Sequence, residues 1–327
     1  MSHNIVSESV RRMLFLVPKL PKTVQFEITN KCNLACRMCP REALKVKFEH
    51  MPLAMFKKLV DKLKGVEEVI LTGWGEPLYH PDIVEMVAYC KKKGFQTRFT
   101  TNGILLTEEL MERLIKLGLD EIAFSVESVT PGKDEWGHIN KSSLNNIEKL
   151  IKKRGKEGLP KITLQAMLQK GKKKDILDIV RWAGKKGVER VNLGRLYTRF
   201  NPGLEKPSLE EEKDIFNSAE RLGNKLGVRV DSVQYGLFSG PLRFFYKRFK
   251  SLLHVRGKYC LKIFDYAYVN VEGMVTPCCL LPDNVMGDLN KQSLSDIWNG
   301  DKFNKRRKTP HPSCKDCDVM KIRRVVR

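Results

Sequence analysis

Thr23-Val24-Gln25-Phe26-Glu27-Ile28-Thr29, followed by Asn30-Lys31-Cys32-Asn33-Leu34-Ala35-Cys36-Arg37-Met38-Cys39-Pro40, decides how the rest of the chain is read. Residues 23–29 are β-prone and run into a polar loop, so they read as a first strand with three cysteines at its carboxyl end. Three thiolates there can ligate three irons of a cubane iron-sulfur cluster and leave the fourth iron open to a substrate. Zinc is the competing reading, but such a site normally closes with four ligands in paired short spacings, and no fourth Cys or His lies nearby. Three inert core thiols are a further alternative, which a polar loop does not favour.

Outward from this strand, short apolar runs alternate with amphipathic helical patterns. Glu68 to Thr72, Phe95 to Thr100, Glu121 to Ser125, Lys161 to Ala166 and Arg190 to Leu193 read as further strands. Between them, Leu53 to Leu63 carries Met55, Leu59 and Leu63 at helical spacing, and Pro81 suits the first turn of a helix running to Lys93. Glu108 to Leu117, Ser143 to Arg154 and Asp175 to Lys186 continue the helices. Such alternation builds a parallel sheet through right-handed crossovers, with ligands at the carboxyl ends of the strands. The units stop at about six, short of the eight that close a barrel, so the expectation is α/β: a partial, open (β/α)6 TIM-like barrel.

From about Asn201 the rhythm changes. Leu209 to Leu226 is one more helix, Gly236 to Lys258 is basic and aromatic, and Ile263 to Thr276 reads as a hairpin turning at Glu272-Gly273. A short helix is expected around Leu294 to Trp298. The division is an N-terminal segment over 1–20, a barrel over 21–235 and a small second domain over 236–327.

The chain has 327 residues, and Lys plus Arg outnumber Asp plus Glu by 60 to 38, a formal charge of +22. An acidic or anionic substrate or partner follows from that balance, unless the lysine runs 91–93 and 172–174 only solvate helix faces. No secretory signal or membrane-length apolar window is seen, so the reading is cytoplasmic. Nine cysteines in a reducing compartment point to metal or redox chemistry rather than a disulfide framework.

The C-x3-C-x2-C spacing of Cys32, Cys36 and Cys39 after strand one resembles the signature of the radical S-adenosylmethionine (SAM) superfamily, and further motifs follow it in order. Gly73-Trp74-Gly75-Glu76-Pro77 resembles the family's GGEP segment, Thr100-Thr101-Asn102-Gly103 its TNG segment, and Phe124-Ser125-Val126-Glu127-Ser128 its S-[IV]-D-[SG] segment. Taken singly each is ordinary turn chemistry, and Trp74 and Glu127 depart from the family pattern. The resemblance implies a SAM-binding [4Fe-4S] cluster on the three cysteines and a Glu76 that engages the methionyl ammonium. It also implies that Ser125 contacts the SAM carboxylate or ribose, with Glu127 at a ribose hydroxyl. Gln165 and residues 192–194 stand where the family touches the carboxylate and adenine, or are satisfied interior amides and a turn. The implied chemistry is one-electron reduction by a flavodoxin- or ferredoxin-type partner, SAM cleavage to a 5'-deoxyadenosyl radical, and hydrogen abstraction from a substrate carbon.

Cys260, Cys278, Cys314 and Cys317, in the context Gly273 to Cys278, Gly287-Asp288-Leu289 and Cys314-Lys315-Asp316-Cys317, resemble the SPASM/twitch extension of the same superfamily. That resemblance implies a second, auxiliary [4Fe-4S] cluster on these four thiolates, serving as an electron acceptor in a net oxidation or cross-link. Zinc on the same thiolates stays open, because spacing alone cannot separate the two. Cys279 points to the opposite side if its strand persists, and Cys90 reads as a core thiol. Peptide or protein maturation is the leading substrate reading. A lipid, polyprenyl-linked or carbohydrate substrate is the second, prompted by a basic amphipathic pattern over 240–254 (Leu242, Phe245, Phe249 and Leu252 flanked by Arg243, Lys247, Arg248 and Lys250) suited to peripheral membrane contact. A nucleic-acid-binding iron-sulfur protein, suggested by Lys305 to Lys308 and Lys321 to Arg327, is opposed by the intact SAM motifs.

Overall fold

The computed structural model describes residues 17–44, 47–130, 141–155, 158–196, 198, 203–232 and 260–317. Six strand-helix units come first: β1 (Thr23–Phe26) and α1 (Leu53–Val60), β2 (Glu68–Leu71) and α2 (Ile83–Lys92), β3 (Gln96–Thr101) and α3 (Glu108–Lys116). They continue with β4 (Glu121–Ser125) and α4 (Lys141–Arg154), β5 (Lys161–Leu168) and α5 (Lys173–Lys186), then β6 (Arg190–Arg195) and α6 (Leu209–Leu226). Neighbouring strands pair in parallel in sequence order, as helical crossovers require.

A seventh strand, β7 (Arg229–Ser232), follows α6 and pairs in parallel with β6. Sequence reading ends the barrel at six units, because Arg-Val-Asp-Ser is too short and polar for its alternation to register. The expected hairpin is present as β8 (Tyr266–Val269) and β9 (Met274–Thr276), with β10 (Gly287–Asp288) antiparallel to β9. Its placement is new: β8 pairs in parallel with β1, Thr23 opposite Tyr266 through Phe26 opposite Val269. One ten-stranded sheet results, in the order β10-β9-β8-β1-β2-β3-β4-β5-β6-β7. The C-terminal part ends in α7 (Leu294–Asn299), where a helix is expected, and α8 (Asp301–Lys308), whose run of charges hides its single buried apolar residue, Phe303.

Alternation within the strands separates two faces. Val24, Phe26, Val69, Leu71, Ile122, Phe124, Ile162 and Leu164 pack against helix residues such as Phe56, Val87, Leu114 and Ile147 in one core, each large side chain contributing about 1.5–3 kcal/mol by burial. The alternate positions face the other side and are mostly polar, Ile70 and Ala123 being apolar exceptions. At the amino end of the strands Thr23 and Arg98 hold Glu68, and Thr163 and Arg190 hold Glu121. At the carboxyl end the register sets Ser125 beside Gln165 and Gln165 beside Asn192. The C-terminal part is tied on by Lys62, whose Nζ donates to the Leu289 carbonyl, and by the Trp298 indole, which donates to Pro18 O at 2.9 Å.

After β2, His80 Nε2 lies 3.0 Å from Met51 O while Nδ1 accepts from the Asp82 amide at 3.0 Å, an arrangement that suits a neutral ring. Burial holds His80, and with it neighbouring His50, below the ordinary value of 6.5. A folded-state value below the unfolded one stabilises above pH 6.5 and loses that stability as pH falls toward the lowered value. The His80 share of stability should therefore fall between about pH 7 and pH 5, and is read in urea titrations as the difference between the parent and His80→Leu across that window.

Among the described residues no helix is long and apolar enough to cross a membrane. The 240–254 pattern and residues 318–327 lie outside the described residues.

Candidate active site

The segment after β2 lies along the cysteine loop through its backbone. Gly75 N donates to Thr29 O at 3.2 Å and Glu76 N to Lys31 O at 2.9 Å. Only glycine fits: a Cβ at Gly75 would stand 2.4 Å from Lys31 O and 2.6 Å from Thr29 O, and one at Gly73 2.3 Å from Glu27 Cγ. Gly75→Ala should push the two segments apart, lower the iron retained on reconstitution, and cost about 1–3 kcal/mol in a denaturant melt. From the other side, Asn30 clasps Lys47 O and the Glu49 amide, while Thr29 Oγ1 reaches Glu49 O at 3.1 Å.

Within the loop, Cys39 N donates to Cys36 O at 2.9 Å and Leu34 N to Cys32 Sγ at 3.4 Å. Burial pushes the Cys32 thiol up, opposed by the Leu34 amide and Arg41 and reinforced by Glu76 and Cys39.

Glu76 is 3% exposed, yet three donors reach its carboxylate. Thr101 Oγ1 (2.5 Å) and Leu78 N (3.0 Å) serve Oε1, and Asn102 N (2.8 Å) serves Oε2. Burial still raises its pKa above the ordinary value, because desolvation outweighs these donors. Asn102 Nδ2 then donates to Asn33 Oδ1 at 2.9 Å, joining the end of β3 to the cysteine loop. Thr101 and Asn102, which sequence reading treats as separate contacts, thus orient Glu76. A carboxylate offers about four acceptor directions, so one remains for a cationic group.

Pro77 begins a single 3-10 turn capped by Glu76. Ser125, Gln165 and Asn192 form the row described above, one to three strands farther on. Glu127 is buried and turned to β5, accepting from Met167 N at 3.0 Å and Gln169 Nε2 at 3.3 Å. Trp74 bridges outward: its indole Nε1 donates to Cys279 O at 3.3 Å and its amide to Glu27 Oε1 at 3.2 Å. Glu27 is absent from the sequence-based site. It is a buried carboxylate at the end of β1, its pKa raised by burial, with the Val271 amide and Tyr268 hydroxyl beside it. The polar alternation Thr23, Gln25, Glu27 was the signal for it.

A second set of thiols lies in the C-terminal part. Cys260, Cys278 and Cys314 line one pocket with Leu281 and Arg307. Burial pushes the Cys278 thiol far up, and Cys279, Cys260 and Cys314 add to it. Cys314 is raised by burial and by Cys317 and Cys260, and Cys317 N donates to Cys314 O at 3.1 Å. The Cys279 thiol, pushed up to about 11 by burial, has Lys262, Glu27 and Cys317 around it. Among the described residues no three His, Cys, Asp or Glu side chains gather as closely as one ion requires, so the grouping rests on the shared pocket and mutual charge. Cys90 is fully buried in α2 with its thiol pushed up to about 12 by burial, as a core thiol should be.

Two family descriptions match this chain: the radical SAM superfamily over residues 26–183 and SPASM, an iron-sulfur cluster-binding domain, over 260–318. The chain belongs to the radical SAM superfamily. Membership makes it an enzyme with SAM and a [4Fe-4S] cluster as cofactors, and the SPASM domain adds iron-sulfur binding. This radical SAM chain is 26% identical over 334 residues to the tungsten-containing aldehyde ferredoxin oxidoreductase cofactor-modifying protein of Pyrococcus furiosus, covering 91% of the chain and 87% of the relative. It is 27% identical over 323 residues to the PqqA peptide cyclase of Gluconobacter oxydans, covering 92% and 84%. Its fold is similar to that of Streptococcus suis SuiB bound to precursor peptide SuiA, with a TM-score of 0.73 at 16% identity over 98% of this chain and 74% of that one.

Proposed function

We propose that this radical SAM enzyme oxidises or cross-links a peptide or protein side chain. In this reading Cys32, Cys36 and Cys39 hold the SAM-binding cluster, and Cys260, Cys278, Cys314 and Cys317 hold one auxiliary [4Fe-4S] cluster. The observation that carries it is the continuity of the sheet: β1, which leads into the first thiol set, pairs directly with β8, which lies between Cys260 and Cys278. The Trp74 to Cys279 hydrogen bond adds a second bridge between the two thiol sets. Support for a peptide comes from the PqqA peptide cyclase and from SuiB, bound to its precursor peptide.

When bound, the cluster and SAM supply one-electron cleavage and hydrogen-atom abstraction from an unactivated carbon. The chain's own residues prepare that step. Glu76, oriented by Thr101 and Asn102, turns its remaining acceptor direction to the SAM ammonium. Ser125 and Gln165 lie in the polar row that faces the SAM carboxylate and ribose, and Glu127, just beyond β4, braces that row against β5. Gly75 lays the backbone along the cysteine loop, Gly73 and Trp74 pack it on Glu27, and Pro77 begins the turn that Glu76 caps. An external one-electron reductant of flavodoxin or ferredoxin type and an acidic substrate segment, suited to the net charge of +22, complete the partners.

The test is anaerobic reconstitution with iron and sulfide, then dithionite, SAM and a pool of peptides from the source cell. Peptides that lose two hydrogens in step with one 5'-deoxyadenosine each are the expected result. Deoxyadenosine formation stimulated by a sugar or prenyl phosphate, and not by any peptide, would replace the peptide reading with the second substrate class.

A further inference from the structure

Arg307 is 6% exposed and carries no carboxylate partner among the described residues. Its guanidinium stacks 4.2 Å from the Trp298 ring centroid and 5.1 Å from that of Phe303. Two of its nitrogens are fixed: Nε donates to Ile263 O at 3.3 Å and Nη1 to Asn304 Oδ1 at 2.8 Å. Its third nitrogen, Nη2, is buried with no hydrogen-bond partner, as is Nε of neighbouring Arg306. Both arginines line the pocket that holds Cys260, Cys278 and Cys314.

A buried cation needs a counter-charge, and a buried N–H left unmet is costly. Among the described residues neither a carboxylate nor an acceptor for Nη2 meets these needs. Four thiolates carrying an iron-sulfur cube are anionic, and their sulfurs accept hydrogen bonds. The planar fork at the pocket wall is held by two hydrogen bonds and two aromatic rings, a fixed placement that a flexible lysine would not reproduce.

We propose that Arg307, seconded by Arg306, donates N–H bonds to the sulfurs of the auxiliary cluster and raises its reduction potential, making it a better electron acceptor. The proposal rests on the auxiliary-cluster reading given above. A bound cluster would gain one negative charge on reduction, so the Arg307 cation would stabilise the reduced form more than the oxidised form. It is a positioning and tuning residue, and it touches no substrate.

The experiment uses the full chain with Cys32, Cys36 and Cys39 replaced by alanine, so that only auxiliary iron is seen, and reads the midpoint potential by EPR redox titration alongside iron and zinc content. Arg307→Met should lower the reduced-to-oxidised ratio at a fixed potential at least tenfold, a fall of about 59 mV for one electron. Should that variant fail to load iron, Arg307→Lys, which keeps a charge against Trp298 without the fork, carries the test with an expected fall of about threefold. An iron-loaded Arg307→Met or Arg307→Lys whose midpoint matches the parent overturns the proposal. Zinc in place of iron at this site overturns it as well. Deoxyadenosine formation by the parent is assayed separately, so failure of the radical chemistry is distinguishable from failure of the tuning.

Discussion

Alanine at Cys32, Cys36 and Cys39 together is expected to abolish 5'-deoxyadenosine formation, a loss of at least three orders of magnitude, while leaving about four of about eight irons per reconstituted chain. The fold should survive. The loop is held by Gly75 and Glu76 amides, by Asn30 and by Thr29, none of which involves a thiol, while the Cys32 thiol contributes weak contacts to Leu34 N and Asn33 Oδ1. A single neutral hydrogen bond is worth about 0.5–1.5 kcal/mol, so circular dichroism and the thermal midpoint of the iron-free protein should barely move. Iron counting and chromatography of the reaction products check both halves. Persistent deoxyadenosine in this variant would refute the assignment of the loop.

Glu76→Gln is expected to weaken SAM binding by about one to two orders of magnitude, the equivalent of the ~1.5–3 kcal/mol of a charge-assisted hydrogen bond. The amide also sets an N–H donor where Thr101, Leu78 or Asn102 already donates, so the ligand-free fold should lose ~1–3 kcal/mol. The pH dependence gives an independent reading. Burial raises Glu76 above its ordinary 4.5, so the folded chain holds the proton more tightly than the unfolded one. Stability therefore falls as pH rises from 4.5 through the raised value and is level beyond it, and the glutamine variant loses that share of the fall. Glu27, raised in the same direction, keeps its own share. Calorimetric titration with SAM and denaturant melts across this window measure both effects, and an unchanged SAM affinity would remove Glu76 from the binding site.

What the sequence discloses here is what lies close together along it. The three-cysteine loop, the Gly73 to Pro77 segment and residues 100–103 are each local, and each declares its chemistry by residue type and spacing. Their union is not local. Nothing in the order of residues says that Thr101 and Asn102 reach Glu76, since that needs β2 and β3 side by side. Glu27 belongs to a strand whose polar alternation is visible but whose depth is not. Arg307 sits in a run of basic residues that reads as a solvated face, and Trp298, four residues beyond the start of α7, gives it a wall only once α7 and α8 are folded. β7 escaped notice because four mostly polar residues carry too few alternations to stand out from a loop.

The pairing of β8 with β1 also sets an order of events during synthesis. Thr23 leaves the ribosome early, and its partner Tyr266 follows only near the end of the chain, on the order of ten seconds or more later at ordinary elongation rates. For that interval the strand leading into the cysteine loop has one open edge, available to any strand of a neighbouring nascent chain. A transcript cut before Tyr266 would leave that edge open for good, and its product should aggregate instead of forming a working SAM half. The C-terminal segment is thus the last stave of the barrel sheet, and metal loading is best timed after it has arrived.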